Sequence, residues 1–309
     1  MEIKKYCSEM KEEWDSFICD AKNGMFLFYR DYMEYHEDRF EDNSLLIYED
    51  CNLISVLPAS INDNVLYSHG GLTFGGFITN QKMKQHKMNT ILDAVIKYLR
   101  NNNIKKLVYK EIPHIYHKLP SEEDHYALFW ENAKLVKVEC ATVLDIKNRI
   151  KPAKGRKSQR SRARREGVQL RESEDFNTFI NMENRVLNKY HGASATHTGA
   201  ELTMLHGLFP ENIKLYAAYY RGKMIAGAVI YDNGNVVRTQ YLGADDEARR
   251  NGALDYIIFD IMERYSDRRW LDFGKSTEGN GNVLNEGLIA EKEGFGGRTV
   301  IYRTWELEP

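Results

Sequence analysis

The sequence predicts an α/β (α+β) protein made of two tandem copies of one unit, each a mixed, mostly antiparallel sheet flanked by helices. Three observations predict it. The 309 residues suffice for two domains of ordinary size, and 42% hydrophobic with 28% charged residues suffices for a core in each. Apolar stripes at helical spacing alternate with short β-type runs bounded by turn residues. The order of segments then occurs twice: helices, a three-stranded meander, helix, strand, helix, strand. The two copies lie about 160–170 residues apart, too long for a solenoid repeat, so a duplicated domain is the simpler account.

In the first half, Trp14, Phe17, Ile18 and Ala21 recur at helical spacing. β-type runs follow at Ser44–Tyr48, Leu53–Leu57 and Val65–Ser68. Ile91, Leu92, Val95, Ile96 and Leu99 share one helix face, followed by a strand at Lys106–Tyr109 and a helix near Ser121–Trp130. β-type runs continue up to Leu144. In the second half, Phe176, Phe179, Ile180, Val186 and Leu187 mark a helix. Strands are expected at Lys214–Tyr220, Met224–Tyr231 and Val236–Tyr241, joined by the turns Arg221-Gly222 and Asn233-Gly234. Leu254, Ile257, Ile258, Ile261, Met262 and Tyr265 form an amphipathic stripe. A strand at Trp270–Phe273, a helix near Leu284–Glu293 and a strand at Thr299–Trp305 complete the copy.

One segment differs sharply from the rest. From Lys147 to Arg165 ten basic residues occur with no acidic one until Glu166, while Pro152 and Gly155 break regular structure at its start. The domain boundary is placed there, giving domains 1–148 and 149–309, the second opening with the basic segment 147–165.

The bulk numbers exclude several classes. A formal net charge of −2 does not make the whole molecule a polyanion binder, so no DNA partner is expected. Cys7, Cys19, Cys51 and Cys140 form no C-x-x-C pair and no zinc spacing, so neither a metal nor a disulfide framework is expected. Met1-Glu2-Ile3-Lys4-Lys5 is followed by charged residues and not by an apolar leader core, and no apolar run approaches the roughly 20 residues of a membrane helix. The expected location is cytoplasmic.

Certain residues in the second half carry a family resemblance. They are Tyr241-Leu242-Gly243-Ala244, then Leu271-Asp272-Phe273-Gly274-Lys275, Asn285-Glu286-Gly287-Leu288 and Lys292-Glu293-Gly294-Phe295-Gly296-Gly297. This succession, opened by Arg162-Ala163-Arg164-Arg165-Glu166-Gly167-Val168, resembles the C-terminal unit of Fem-type aminoacyltransferases and related two-domain GNAT-like proteins. In the first half, His69-Gly70-Gly71-Leu72-Thr73-Phe74-Gly75-Gly76 and the aromatic stretch 29–40 resemble the N-terminal unit of bacterial proteins often encoded with surface-polysaccharide genes. The resemblance covers nearly the whole chain. It implies tandem GNAT-like (acyl-CoA N-acyltransferase) domains and transfer of an acyl or aminoacyl group, from a thioester or aminoacyl-tRNA, to an amine. No tightly bound cofactor is implied; acyl-CoA or aminoacyl-tRNA would be a co-substrate. In acetyl-CoA-using members an Arg/Gln-x-x-Gly-x-Gly/Ala motif holds the pyrophosphate on a helix N-terminus. Here Arg249-Arg250-Asn251-Gly252-Ala253-Leu254 stands in that place, with Leu254 where a small residue is expected. Arg249, Asn251 and Gly252 are the cofactor-binding candidates.

The remaining candidates follow from what transfer to an amine requires: loss of a proton, stabilisation of an oxyanion, and positioning. The loop 272–280 ends a strand, where ligands gather in α/β sheets. Asp272 or Glu278 could take the amine proton, and Lys275 could hold an oxyanion or carboxylate; the bland reading is a capped turn and solvated loop. His197 is a candidate base, and His191 and Tyr241 are substrate contacts, although a loop histidine is more often plain surface. His69 beside Gly70-Gly71 is a further substrate candidate, or merely a tight bend. Arg156, Lys157, Arg160 and Arg164 could grip phosphate on a nucleotide-linked sugar, a peptide precursor or tRNA, or form a solvated helix face. Phe26, Phe28, Tyr32 and Phe40 are read as core, with Tyr29, Arg30, Tyr35 and Arg39 as outside candidates.

The leading function is therefore an N-acyltransferase acting on an amino sugar or peptidoglycan peptide of a cell-envelope precursor, with one of the two domains active. The alternative is a non-catalytic module of the same fold that binds anionic carbohydrate or RNA.

Overall fold

The computed structural model describes residues 1–309, except for the side chain of His191. The chain divides into two compact units. The first holds residues 1–140, 278–283 and 301–309; the second holds residues 141–277 and 284–300. This division differs at both ends from the contiguous split expected at 148/149. Residues 141–145 pair with a strand of the second unit, and the end of the last strand pairs within the first.

In the first unit, β1 (Glu2–Lys5), β2 (Leu45–Glu49) and β3 (Asn52–Leu57) form an antiparallel set. β4 (Ser60–Asn62) and β5 (Val65–Tyr67) form a hairpin, and β5 runs parallel to β6 (Lys106–Lys110). α1 (Lys11–Asp20), α2 (Gln85–Asn101) and α3 (Glu123–Trp130) flank them. The stripe Ile91, Leu92, Val95, Ile96 and Leu99 on α2 is buried against Leu45, Leu57, Leu66 and Leu107, as its spacing predicts. The aromatic stretch is not one helix. It is two 3₁₀ turns, Phe26–Phe28 and Glu34–His36, around the single α turn Arg30–Met33. Phe26, Phe28 and Tyr32 are nonetheless core. Arg30, an outside candidate from sequence, is buried too. It pairs with Glu34 (2.9 Å) and Asp42 (2.6 Å) and lies 3.6 Å over the Tyr6 ring.

The strand β7 (Lys134–Asp145) passes from the first unit into the second at residue 141. α4 (Lys154–Arg165) is the basic segment, followed by β8 (Gln169–Ser173), α5 (Phe176–His191) and α6 (Gly199–Leu208). The meander β9 (Ile213–Tyr220), β10 (Lys223–Asp232) and β11 (Val236–Ala244) turns at Arg221-Gly222 and Asn233-Gly234, where Arg221, Gly222 and Gly234 take positive φ. α7 (Asp246–Asn251) and α8 (Ala253–Arg264) lead to β12 (Trp270–Lys275), then α9 (Glu286–Glu293) and β13 (Arg298–Leu307). The sheet order is β8-β9-β10-β11-β12-β7, antiparallel except for β11 beside β12. One face packs Ala228, Ile230, Val237, Leu271 and Phe273 against Ile257, Ile258 and Ile261 of α8. α5 and α6 cover the other.

Among the described residues no helix is long and apolar enough to cross a membrane.

Candidate functional site

β11 and β12 are registered over three pairs, Val236–Trp270, Val237–Leu271 and Arg238–Asp272, and then part. Strand alternation decides what lies on each face beyond that fork. Val237, Leu271 and Phe273 face α8, so Arg238 and Asp272 face the other way, toward α5. Across β10, Tyr241 is opposite Val229 and Gly243 is opposite Gly227, which puts both on that same face.

Asp272 closes the fork. It is fully buried; its Oδ2 accepts from Arg238 (3.0 Å) and its Oδ1 accepts from the Gly274 N–H (2.7 Å). A carboxylate held this way anchors two strands, a structural role beside the one expected for Asp272. Below it, the buried Lys292 ammonium donates to the Gly274 (3.1 Å) and Lys275 (2.8 Å) carbonyls and to Ser276 Oγ (2.9 Å). Burial lowers its pKa to about 8, against the opposing pull of Asp272. Lys275 is half-buried. Glu278 is exposed and falls in the 278–283 segment of the first unit.

Further along β11 the structure brings two expected residues together. The Tyr241 hydroxyl accepts from the His197 backbone N–H (3.1 Å) and lies 2.7 Å from His197 Nδ1. The loop that carries His197 is tied to α5 by the Ala195 N–H donating to Asn184 (2.7 Å), and α6 starts immediately after it with a Thr198–Glu201 capping box. Burial raises the Tyr241 phenol above its ordinary pKa.

Beside this pair is Glu183 of α5, which sequence reasoning passed over. It is 7% exposed, and burial lifts its pKa to about 7, with Arg249 pulling the other way. Two glycines let α5 come this close. A Cβ on Gly227 would strike the Phe179 ring, and one on Gly243 would collide with the Glu183 carboxyl oxygen. A signal was present in the sequence. Glu183 lies three residues after Ile180 and four after Phe179, so it interrupts the apolar stripe of α5 at a stripe position. Lys292, buried on α9, was missed as well, because that helix shows no clear stripe to interrupt.

The pyrophosphate candidates do not make an anion cradle. Arg249 is exposed on α7, its guanidinium 4.5 Å over the Tyr190 ring. Asn251 Oδ1 already accepts from the Ala253 N–H at the start of α8 (3.1 Å), and Asp255 puts a carboxylate in the first turn. Gly252 serves a close approach of α4, since a Cβ there would lie 2.5 Å from the Gln159 carbonyl oxygen. These residues do not fit a CoA pyrophosphate.

The basic helix is largely spoken for. Arg156 pairs with Asp255 (3.2 Å) and Glu291 (3.3 Å), Arg160 pairs with Glu263 (2.6 Å), and Arg164 lies 5.2 Å over the Tyr256 ring. These contacts give the three arginines partners within the protein. Lys157 remains exposed. In the first unit His69 is buried against His36 and Phe40, and burial lowers its pKa to about 3. The His191 side chain lies outside the described residues. Among the described residues no cluster of three or more His, Cys, Asp or Glu could hold a metal ion.

Residues 153–280 match the family model of the acetyltransferase (GNAT) domain. Comparison with curated protein sequences finds no match. Solved structures share the fold over the whole chain. FemX aligns at a TM-score of 0.70 and 11% identity, covering 100% of this chain and 98% of that one. L-PGS from Bacillus licheniformis aligns at 0.63 and 10%, covering 99% and 93%. A tandem GNAT protein from the clavulanic acid biosynthesis pathway aligns at 0.54 and 10%, covering 99% and 98%. Residues 153–280 thus form an acyltransferase domain of the GNAT class. The second unit carries this domain, and the chain as a whole shares the fold of FemX.

Proposed function

We propose that this protein is an N-acyltransferase that joins an acyl or aminoacyl group to an amine on a cell-envelope precursor, an amino sugar or a peptidoglycan peptide. The observation that carries the reading is the fork between β11 and β12, with Tyr241, His197 and Glu183 on one face just beyond it. Parted strands leave backbone groups unpaired along an extended segment, which suits a linear donor arm. A carboxyl that titrates near neutrality, as that of Glu183 does, suits proton transfer from an amine. The fold shared with FemX and L-PGS supports an envelope acceptor. The donor is an acyl thioester or aminoacyl-tRNA. Because the start of α8 does not fit a CoA pyrophosphate, the second is favoured. That same misfit is what favours the other reading, a non-catalytic module.

A thermal-shift series tests this, with acetyl-CoA, longer acyl-CoAs, UDP-linked amino sugars and a peptidoglycan-precursor nucleotide offered separately. A ligand that binds only the native state at 100 times its Kd adds about 2.7 kcal/mol. The expected result is a raised midpoint with the UDP-linked compounds and none with acetyl-CoA. A shift with a CoA ester would make the donor a thioester. No shift with any compound, in a cooperatively melting protein, would turn the assignment to the binding module.

A further inference from the structure

We infer that Glu183 is the group that receives the proton of the attacking amine. The inference rests on the acyl-transfer reading and adds a residue to it. The nitrogen of the neutral amine forms a C–N bond to the acyl carbon. The C–S bond of a thioester, or the C–O bond of an aminoacyl ester, breaks. The proton leaving nitrogen passes to the Glu183 carboxylate and from there to the departing sulfur or oxygen. Atoms and charge balance without an oxidant, reductant or metal.

Three observations carry it. First, Glu183 occupies a stripe position of α5 that packing alone would give to an aliphatic residue. Among the described residues nothing donates a hydrogen bond to its carboxyl, although it is nine-tenths buried. Its oxygens are not among the fully enclosed polar atoms that lack a partner, so the carboxyl keeps a narrow opening to solvent through which an amine can meet it. Second, its carboxyl lies against the backbone of β11 at Gly243, beyond the fork, where any side chain at position 243 would displace it. Third, the other ionisable groups of this face are engaged elsewhere. Asp272 is held by Arg238 and Gly274, and His197 Nδ1 is on the Tyr241 hydroxyl. The groups whose charge acts on Glu183 are Arg249 of α7 and Tyr241 of β11. Burial outweighs Arg249, so the carboxyl titrates near the pH at which a proton can be both taken and returned.

The test is a carbon NMR titration of the protein labelled at the glutamate side-chain carboxyl, with the resonance assigned by its loss in Glu183→Gln. Propylamine, an ammonium ion over this range, stands in for the acceptor, and sodium chloride at equal ionic strength is the control. The expected result is a carboxyl midpoint near 7 that falls by about one unit with propylamine and not with salt, because a cation at contact favours the charged form. A midpoint in the ordinary carboxylate range overturns the inference. So does a midpoint near 7 that propylamine leaves in place, which would make Glu183 a sealed structural acid. If Glu183→Gln does not fold, Glu183→Asp supplies the assignment. Gly243→Ala, which pushes the carboxyl aside, should abolish the propylamine response. None of these readouts uses an acyl donor, so failure of the acyl-transfer reading shows separately in the ligand series.

Discussion

A carboxyl buried on the apolar side of a helix is most stable as the neutral acid, and for Glu183 that has a consequence in the pH dependence of folding. In the unfolded chain it titrates near 4.5; in the folded protein burial holds its midpoint at about 7. The folded state therefore binds the proton more tightly. Its contribution to stability is fully present below about pH 4.5 and is lost as pH rises through 7. At roughly 1.4 kcal/mol per unit, the loss between those limits is about 3 kcal/mol. Glu183→Gln cannot ionise and should remove this slope, so its thermal midpoint should overtake that of the parent protein at pH 8 and not at pH 5. Parallel midpoints at both values would mean that the carboxyl is not held neutral. Lys292 slopes the other way through its own window near pH 8, but it is present in both proteins and cancels in the comparison. At this scale the sequence was only partly legible. His197 and Tyr241 were singled out and do meet, at 2.7 Å. Asp272 looked like a base because a strand end with an acid and glycines often is one. What sequence could not show is that Arg238, 34 residues away, would take the carboxylate.

Among the elements, the basic helix α4 shows how a charge run misleads. Ten cations without an acid suggested a surface for phosphate, yet the acids that answer them are on α8 and, for Arg156, also on α9. Arg156, Arg160 and Arg164 recur every fourth residue and so share one face. On α8, Asp255, Phe259 and Glu263 recur every fourth residue too, and the rows meet through the pairs Arg156–Asp255 and Arg160–Glu263 and the Arg160–Phe259 ring contact. The matched spacing was readable, but pairing segments about 100 residues apart needed the fold. The consequence is a difference in stability within one helix. Arg156→Ala leaves Asp255, which is 6% exposed, without its partner, and should cost about 2–4 kcal/mol. Lys157→Ala, one residue on and exposed, should stay within about 0.5 kcal/mol. Urea melts of the two variants check this, and equal costs would mean that the helix is not docked by its arginines. Most other elements were legible, because period-2 and period-3.6 patterns were strong in β9–β12, α2 and α8. The aromatic stretch 26–40 was not, since buried aromatics spaced like a helix also fit a chain of short turns.

At the scale of the whole molecule, the duplicated order of elements places the boundary apart from the division into compact units, and the consequence can be measured. A cut at 148/149 follows the repeat but separates residues 141–146 from the sheet to which they belong. Val143, Leu144 and Ile146 are at most 4% exposed, and Val143 and Leu144 are registered opposite Asp272 and Leu271 on β12. Each such aliphatic side chain contributes roughly 1.5–3 kcal/mol by burial, so losing three removes about 5–9 kcal/mol. That is comparable to the 5–15 kcal/mol of an ordinary domain, before counting the backbone hydrogen bonds and the newly bare edge of β12. The loss is mutual, since fragment 1–148 is left without residues 304–307, registered opposite 107–110 on β6, including the buried Leu307. Fragments 1–148 and 149–309 are therefore each expected to melt without a cooperative transition, while the full chain melts cooperatively. Circular dichroism melts of the three proteins decide it. A sharp transition in 149–309 alone would mean that the strand 141–145 is dispensable, and that the second unit closes its sheet at β12 without it.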